Sequence, residues 1–241
     1  MLKVHSIESF STQDGPGIRF VIFLQWCMFK CLYCHNPDTI PQVGGKEMTD
    51  DNLIEMIEWV KPYFSKNWWI TVSGWEPLLQ AKWLVSLFEK LKEKWYHIAI
   101  DTNWYPWNEY VKQIVELSDL FLLDIKQINN DKHIKLTGKS NVNTLKFLDY
   151  LELKNKKTWI RYVLVPWYTD DIVDLKKIWE MYSGYKCIEK IQILPYHNLW
   201  EYKRKEFWWK YKLSDVEPPS LEKIEDVKKV FQKYFKSVCV W

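Results

Sequence analysis

Six short apolar runs alternate with longer amphipathic segments along this chain, and that alternation limits the folds open to it. Continuous apolar runs are typical of strands buried on both faces, as in a parallel sheet covered by helices. We therefore predict an α/β fold with parallel strands. The strand candidates begin at Ile18, Ile70, His97, Leu120, Thr158 and Lys190, and helical patterns occupy 50–60, 81–94, 108–117, 143–153, 171–182 and 220–234.

An incomplete (β/α)6 TIM-type barrel is the first choice of architecture, because a complete eight-stranded barrel typically needs about 250 residues or more. A doubly wound sheet is the second choice. No internal repeat, low-complexity tract or glycine–serine linker interrupts the 241 residues, so a single domain over 1–241 is predicted.

The charge balance argues against two classes of partner. With 34 basic and 31 acidic residues the net charge is +3, which gives no footprint for nucleic acid or for an anionic membrane. The first ten residues lack a cationic segment followed by an apolar run, and no uncharged stretch is long enough to span a bilayer. We expect a soluble, unexported, cytoplasmic protein.

Polar residues gather where the predicted strands end. In parallel α/β folds the carboxyl ends of the strands carry the ligand chemistry. We therefore expect five segments that are distant in sequence to meet at one mouth. These segments are 27–34, 73–76, 101–103, 124–126 and 195–197.

Three of the five cysteines lie within eight positions, at Cys27, Cys31 and Cys34. Cys187 and Cys239 stand far away, which indicates reduced thiols rather than a disulfide framework. Two interpretations are open from spacing alone. A structural zinc site closes with four ligands, and His35 could be the fourth, although ligation by adjacent residues is sterically awkward. A 4Fe-4S cluster on three thiolates leaves one iron open.

The spacing of these cysteines, with the aromatic Tyr33 before the last one, matches the CxxxCxxC signature of radical S-adenosylmethionine (SAM) enzymes. The chain resembles this superfamily, and more narrowly its glycyl-radical-enzyme-activating family, over nearly its whole length. The ordered matches are DGPGIRF (14–20), CLYCHNPDT (31–39), GGKE (44–47), DTN (101–103), LDIKQ (123–127), WIRYVLVP (159–166), LPYH (194–197) and YKL (211–213).

The resemblance implies that Cys27, Cys31 and Cys34 carry catalysis by binding a 4Fe-4S cluster whose open iron binds SAM. In the family the reduced cluster cleaves SAM to methionine and a 5'-deoxyadenosyl radical, which takes a hydrogen atom from a glycine Cα. The cofactor-binding positions implied here are Tyr33, Cys34, His35, Gly74, Trp75, Glu76, Asp101, Thr102, Asp124, Ile125, Lys126 and His197. A monovalent cation near Asp101, Thr102 and Asp124 is a further implication.

Taken alone, several of these residues have ordinary interpretations as well. Residues 73–76 could form a simple strand-to-helix turn, and Asp101 and Thr102 could cap a helix or end a strand. Asp124 and Lys126 could likewise be ordinary residues at a strand end, with no role in binding. The resemblance favours cofactor binding for these segments. For His197, a hydrogen-bonded histidine at a strand end and a SAM contact both stay open.

The resemblance also implies partners. The expected substrate is a glycyl-radical enzyme, pyruvate formate-lyase, and the expected electron source is a flavodoxin-type donor in an anaerobic cytoplasm. A monomer is expected. The alternatives are an activase of another target, such as anaerobic ribonucleotide reductase, and a non-catalytic zinc-binding interaction module. Many relatives with other targets carry a cysteine-rich insert, which this chain lacks, so pyruvate formate-lyase is favoured.

Glycine and tryptophan are used abnormally, with 7 Gly and 16 Trp in the chain. Glycine serves where the backbone takes a positive φ or approaches a ligand closely, and tryptophan is its largest replacement. We hypothesise that the gene uses UGA for glycine and was translated under a table that reads UGA as tryptophan. The positions where the family leads us to expect glycine are Trp26, Trp75, Trp104, Trp167 and Trp200, with Trp68, Trp69 and Trp95 in addition.

Overall fold

The computed structural model describes residues 1–64, 69–74, 76–103, 107–199, 203, 206 and 211–241. The chain divides into two compact units, the first made of 1–28 and 39–122 and the second of 29–38 and 123–241. Within the described residues, no helix is long and apolar enough to cross a membrane.

The first unit contains five strands, which are β1 (Leu2–Ser11), β2 (Arg19–Leu24), β3 (Lys46–Met48), β4 (Trp69–Ser73) and β5 (His97–Thr102). Their order is β3-β1-β2-β4-β5. β1 runs antiparallel to both of its neighbours, whereas β2, β4 and β5 are parallel. Ile70 of β4 pairs with Phe20 on one side and with Ile98 on the other, so the carboxyl ends of three strands lie along one edge.

The described residues of the first unit also form three α-helices: α1 (Asp50–Val60), α2 (Ala81–Glu93) and α3 (Glu109–Leu117). Thr49 begins α1 with a capping box that uses Asn52, and Asn108 begins α3 by accepting a hydrogen bond from the amide of Val111. The helices bury apolar residues three and four positions apart, as amphipathic helices over a sheet do. In α2 this buried face consists of Leu84, Leu87, Phe88 and Leu91.

Strand β6 (Leu120–Asp124) begins in the first unit and ends in the second, and all five of its residues are buried. The second unit then contains α4 (Asn130–Thr137), α5 (Val142–Leu153), β7 (Thr158–Leu164), α6 (Ile172–Tyr182), β8 (Ile188–Pro195), α7 (Leu221–Gln232) and β9 (Val238–Val240). Strands β7, β8 and β9 are parallel in that order. The fully buried Trp179 packs edge-on against Phe231 and Phe235 between α6 and α7.

The α/β class and all six predicted strands are confirmed, as are the six predicted helices within two residues at most ends. Four elements were not predicted: β1, β3, β9 and α4. β1 alternates half-buried with exposed residues from His5 to Phe10, and β3 and β9 are three residues long. α4 is short and polar, so its pattern is weak. That 1–241 form one domain stays a prediction.

Tryptophan occupies backbone conformations that favour glycine. Of the four described non-glycine residues with positive φ, three are Trp26, Trp95 and Trp167. After α2 the amides of Trp95 and Tyr96 donate to the carbonyls of Lys92 and Leu91, at 3.0 and 3.1 Å. This is the Schellman motif, which usually places glycine, or sometimes asparagine, at the position of Trp95. Asn155, the fourth residue, takes the same position after α5 with φ 49°.

The turn after β7 gives a second example. The amide of Tyr168 donates to the carbonyl of Val165 at 3.1 Å across Pro166 and Trp167. Trp167 has φ 67°, and proline followed by a residue with positive φ is the type II turn, which calls for glycine there. The conformations of Trp26, Trp95 and Trp167 support the recoding hypothesis, whereas the predicted glycine site Trp69, at the start of β4, has no positive φ. The predicted glycine sites Trp68, Trp75, Trp104 and Trp200 lie outside the described residues.

Candidate active site

The loop after β4 passes against the end of β2 in the first unit. Gly74 has φ +100°, and a Cβ built on it would overlap the backbone nitrogen and oxygen of Leu24. Only glycine fits this approach, because any side chain would collide with backbone that cannot rotate away. Gly74, within the predicted Ser73–Glu76 segment, is thus fixed beside the strand that leads into the first cysteine.

Glu76 joins this loop to the end of β5. Its carboxylate is buried and accepts the Thr102 hydroxyl at 2.7 and 2.9 Å and the Asn103 amide at 3.1 Å. One of its oxygens also accepts the amide of Leu78 at 3.1 Å. Charge-assisted hydrogen bonds of this kind are about twice as strong as neutral ones. Two of the predicted segments, 73–76 and 101–103, are therefore adjacent.

A second hydrogen bond connects the same two strands. Ser73 donates from its hydroxyl to the Asp101 carboxylate at 2.9 Å. Asp101 is one residue before Thr102, and Ser73, the last residue of β4, is three residues before Glu76. Asp101 and Thr102, predicted near a monovalent cation, are therefore both hydrogen-bonded to the end of β4 and the loop that follows it.

Cys27 belongs to the first unit and is buried. Its amide donates to the carbonyl of Ile40 at 3.2 Å, and the amide of Trp26 donates to that of Thr39 at 2.8 Å. Just before them, the Gln25 amide donates to the Lys3 carbonyl at 2.9 Å. The chain that approaches the first cysteine is therefore held on two sides.

A buried glutamine that sequence reasoning missed adds to this support. Gln80 donates from its side-chain amide to the carbonyls of Lys3 and Gln25, at 3.1 and 2.9 Å. It also accepts the Lys3 amide at 2.8 Å. No periodicity or motif in the sequence signals this contact, because it joins residues 77 positions apart.

Cys31 and Cys34 belong to the second unit, and both thiols are buried. The Cys34 amide donates to the Cys31 carbonyl at 3.0 Å, which closes a tight turn between them. The end of α4 holds this turn, since Lys30 and Leu32 donate their amides to the carbonyls of Thr137 and Leu136 at 2.8 and 2.9 Å. The unpredicted helix α4 is thus the support of two predicted cluster ligands.

Lys126 and Asp124 form a buried ion pair at the end of β6, with Nζ and Oδ2 2.7 Å apart. The Lys126 ammonium lies 5.7 Å from the centroid of the Tyr33 ring. Burial raises the pKa of the Cys31 thiol to about 12, and the positive charge of Lys126 opposes that rise. The residue between the pair, Ile125, is buried and donates its amide to the Arg161 carbonyl at 3.1 Å.

Two histidines also meet in the second unit. The rings of His35 and His197 lie with centroids 4.4 Å apart and planes tilted by 42°. His197 follows the end of β8, as the prediction of a strand-end site requires. Inside the second unit, the structure therefore brings the cysteine segment to two strand ends, since Tyr33 lies near Lys126 and His35 contacts His197. Inside the first unit, it brings Ser73 and Glu76 to the segment 101–103. The meeting of all five segments at one mouth stays a prediction.

In the part of the chain that the structure describes, no three His, Cys, Asp or Glu side chains lie close enough together to bind a metal ion. Trp75 lies outside the described residues.

Comparison with known proteins identifies the family. The family model described as the radical SAM superfamily matches residues 21–177, more than half of the chain. The pyruvate formate-lyase-activating enzyme of Staphylococcus epidermidis is 45% identical over 236 residues, covering 94% of each chain. The chain belongs to the pyruvate formate-lyase-activating enzyme family of the radical SAM superfamily. The Staphylococcus aureus member of this family is 44% identical over 235 residues, covering 93% of this chain and 94% of its own.

Solved structures agree with the fold of a radical SAM protein. A domain of a pyruvate formate-lyase-activating enzyme from Bacteroides vulgatus superimposes with a TM-score of 0.60 at 22% identity, covering 71% of this chain and 97% of its own. Streptococcus suis SuiB bound to S-adenosylmethionine superimposes with a TM-score of 0.70 at 14% identity, covering 90% of this chain and 48% of its own. This likeness confirms the predicted incomplete barrel rather than the doubly wound sheet.

Members of the radical SAM superfamily use a 4Fe-4S cluster and SAM, and the donors present here fit that cluster. Thiolates are the ligands of iron–sulfur clusters, and Cys31 and Cys34 already share one tight turn. Family membership favours this cluster over the zinc site that spacing alone left open.

Proposed function

We propose that this chain activates pyruvate formate-lyase by generating a radical on a glycine of that enzyme. The observation that carries the proposal is the 45% identity over 94% of both chains to a pyruvate formate-lyase-activating enzyme. At that identity and coverage the two chains share the whole scaffold rather than one motif. When bound, the cluster and SAM supply the 5'-deoxyadenosyl radical that removes the hydrogen atom. Glycine suits this reaction because no side chain blocks its Cα.

Cys27, Cys31 and Cys34 are the proposed cluster ligands. Thiols must lose their protons to bind iron, and the Lys126 ammonium favours the thiolate at Cys31 where burial disfavours it. The turn between Cys31 and Cys34 supports ligation of one cluster, since its 3.0 Å hydrogen bond keeps the two residues close before iron arrives. Cys187 and Cys239 have no proposed role.

The proposed SAM-binding residues come from the strand ends. In this proposal the loop of Gly74, Trp75 and Glu76 would receive the amino group of SAM, and Asp101, Thr102, Asp124 and Lys126 would hold its carboxylate and ribose region. The second unit contributes another set, which consists of Tyr33, Cys34, His35, Asp124, Ile125, Lys126 and His197. Asp101, Thr102 and Asp124 are also the proposed neighbours of a monovalent cation, whose charge would balance the SAM carboxylate.

The electron donor, the oligomeric state and the cellular location are proposals as well. A flavodoxin-type protein is the proposed electron donor, since such clusters reach low reduction potentials, down to roughly −700 mV across all types. We propose that the chain acts as a monomer in an anaerobic cytoplasm. Its net charge of +3 supports the expectation that neither nucleic acid nor an anionic membrane is a partner.

Anaerobic reconstitution tests the cluster. We expect about four irons per chain, cleavage of SAM to 5'-deoxyadenosine on reduction, and loss of that cleavage in C27A, C31A and C34A. The C187A and C239A variants are the matched controls, and both should keep the cluster. Loss of the cluster in C187A together with its retention in C31A would show that the ligands are assigned wrongly.

A panel of partner enzymes tests the substrate. The reduced, SAM-bound chain is mixed with purified pyruvate formate-lyase and, separately, with anaerobic ribonucleotide reductase. Electron paramagnetic resonance should detect a glycine-centred radical on the first and none on the second. A signal on the reductase alone would leave the reaction standing and replace the substrate.

A further inference from the structure

The hydroxyl of Tyr33 is a buried polar group that no residue described by the structure satisfies. Tyr33 is 5% exposed, and its Oη has no hydrogen-bond partner among the residues that the structure describes. Buried tyrosines usually find a partner, because an unsatisfied hydroxyl loses its hydrogen bonds to water and regains nothing. A missing partner at such a site points to a group that binds there.

The neighbouring side chains limit which groups can accept a hydrogen bond from the Tyr33 hydroxyl. A tyrosine hydroxyl carries a proton that it can donate. Asp124 is already paired with the Lys126 ammonium at 2.7 Å, and an ammonium has no acceptor to offer.

A second buried tyrosine nearby shows the contrast. Tyr162 is fully buried in the same unit, and its hydroxyl donates to the carbonyl of Thr169 at 2.6 Å. Its hydrogen bond is complete within the protein. The Tyr33 hydroxyl has no such acceptor within the part of the chain that the structure describes, and Tyr33 stands between two proposed cluster ligands in the sequence, Cys31 and Cys34.

We propose that the Tyr33 hydroxyl donates a hydrogen bond to a sulfur of the iron–sulfur cluster held by Cys31 and Cys34, and that this bond raises the reduction potential of the cluster. The inference rests on the proposed function, which supplies the cluster. Hydrogen bonds to cluster sulfurs favour the reduced, more negative state, and they are among the features that set the potentials of such clusters. Tyr33 would thereby help the electron donor to reduce the cluster.

The test compares Y33F with Y162F, because both remove one buried hydroxyl and nothing else. In the cluster-free protein, Y33F should unfold at the same denaturant concentration as the parent or a higher one, whereas Y162F should unfold at a lower one. A Y33F chain as destabilised as Y162F would overturn the proposal, since the hydroxyl would then have a protein partner.

The cluster-loaded chains are then titrated anaerobically without SAM. We expect equal iron content, a more negative midpoint potential for Y33F and no shift for Y162F. In the parent chain, transfer to D2O should move an Fe–S stretching band in the resonance Raman spectrum, and Y33F should lack part of that shift.

Besides the denaturation result, three outcomes count against the idea, and they are distinguishable from one another. A parent chain that binds no cluster would refute the proposed function and this inference with it. A loaded Y33F chain with the potential of the parent would refute the inference alone. Weaker SAM binding by Y33F at an unchanged potential would assign the hydroxyl to SAM instead of the cluster.

Discussion

The Glu76 carboxylate receives the hydroxyl of Thr102 between its two oxygens, at 2.7 and 2.9 Å. Both residues are 1% exposed, so neither can exchange this contact for water. Replacing Thr102 by valine, which has the same shape, should cost about 1.5–3 kcal/mol, because a buried charge loses one donor. Chemical denaturation of the cluster-free protein measures this cost. T102S keeps the hydroxyl and should lose only about 1 kcal/mol, and equal losses in the two variants would contradict the prediction.

Gly74 should tolerate no side chain. In G74A the new Cβ meets the backbone of Leu24, so we expect a loss of about 3 kcal/mol or more, together with displacement of the loop that contains Glu76. Gly138 is the matched control: its φ is also positive, at +77°, but a Cβ there would meet nothing within 4 Å. G138A should therefore cost only about 1 kcal/mol for its backbone conformation. Similar denaturation midpoints for the two variants would contradict the steric argument.

Acid should destabilise the cluster-free protein through two histidines. Burial lowers the pKa of His97 from 6.5 to about 4, with Arg19 as the next cause. Burial also lowers the pKa of His133 from 6.5 to about 4. Between these values the unfolded chain binds the protons and the folded chain does not, so stability falls as the pH drops from 6.5 towards 4.

The expected loss at pH 5 is on the order of 1–2 kcal/mol for each histidine, measured as the shift of the urea midpoint from its value at pH 7. H133Q should reduce this drop. L136A removes a buried side chain of the same helix, and it should lower stability equally at both pH values. A drop in H133Q as large as that in the parent would assign the acid sensitivity to other groups.

Replacing either of two exposed tryptophans by glycine should stabilise the folded chain. Trp95 and Trp167 have φ 63° and 67° and are 91% and 76% exposed, so each holds a strained backbone without burying its ring. W95G and W167G should each stabilise the chain by about 1 kcal/mol. Trp59 is the control, because it is 74% exposed but lies inside α1, where glycine should cost about 1 kcal/mol.

Thermal unfolding of the three variants measures the effect, and stabilisation by W59G as well would point to a general benefit of removing exposed rings.

The recoding hypothesis has its own decisive measurement. Peptide masses from the native organism should correspond to glycine at 26, 75, 104, 167 and 200, and peptides that keep tryptophan at 75 and 104 would refute it.

Strands buried on both faces were predictable because their composition is unambiguous. β2 reads RFVIFL, and such a run has few alternatives. β1 reads LKVHSIESFS, with one face half-buried and polar residues throughout, so only its pairing with β2 and β3 reveals it. α4 reads NDKHIKLT and is defined by its Asn129 cap and its left-handed end at Gly138 rather than by an apolar face.

The candidate site was predictable only in part. Cysteine spacing marks Cys31 and Cys34, and strand ends mark Asp124 and Lys126. What joins these pairs is tertiary: the anchoring of the cysteine turn on Thr137 and the 5.7 Å approach of the Lys126 ammonium to the Tyr33 ring come from packing of segments about a hundred residues apart. Local sequence patterns do not reveal such contacts, so the resemblance to a family was needed to group these residues into one site.

The antiparallel course of β1 has a practical consequence for protein engineering. Val4 pairs with Leu24, and Lys3 is hydrogen-bonded to Gln25 and Gln80, so the beginning of β1 lies beside the backbone that leads to Cys27. A purification tag or reporter fused ahead of β1 would start next to the proposed iron-binding segment. Any histidine-rich tag in that position would compete for the metal during reconstitution, so an affinity handle belongs elsewhere on this scaffold.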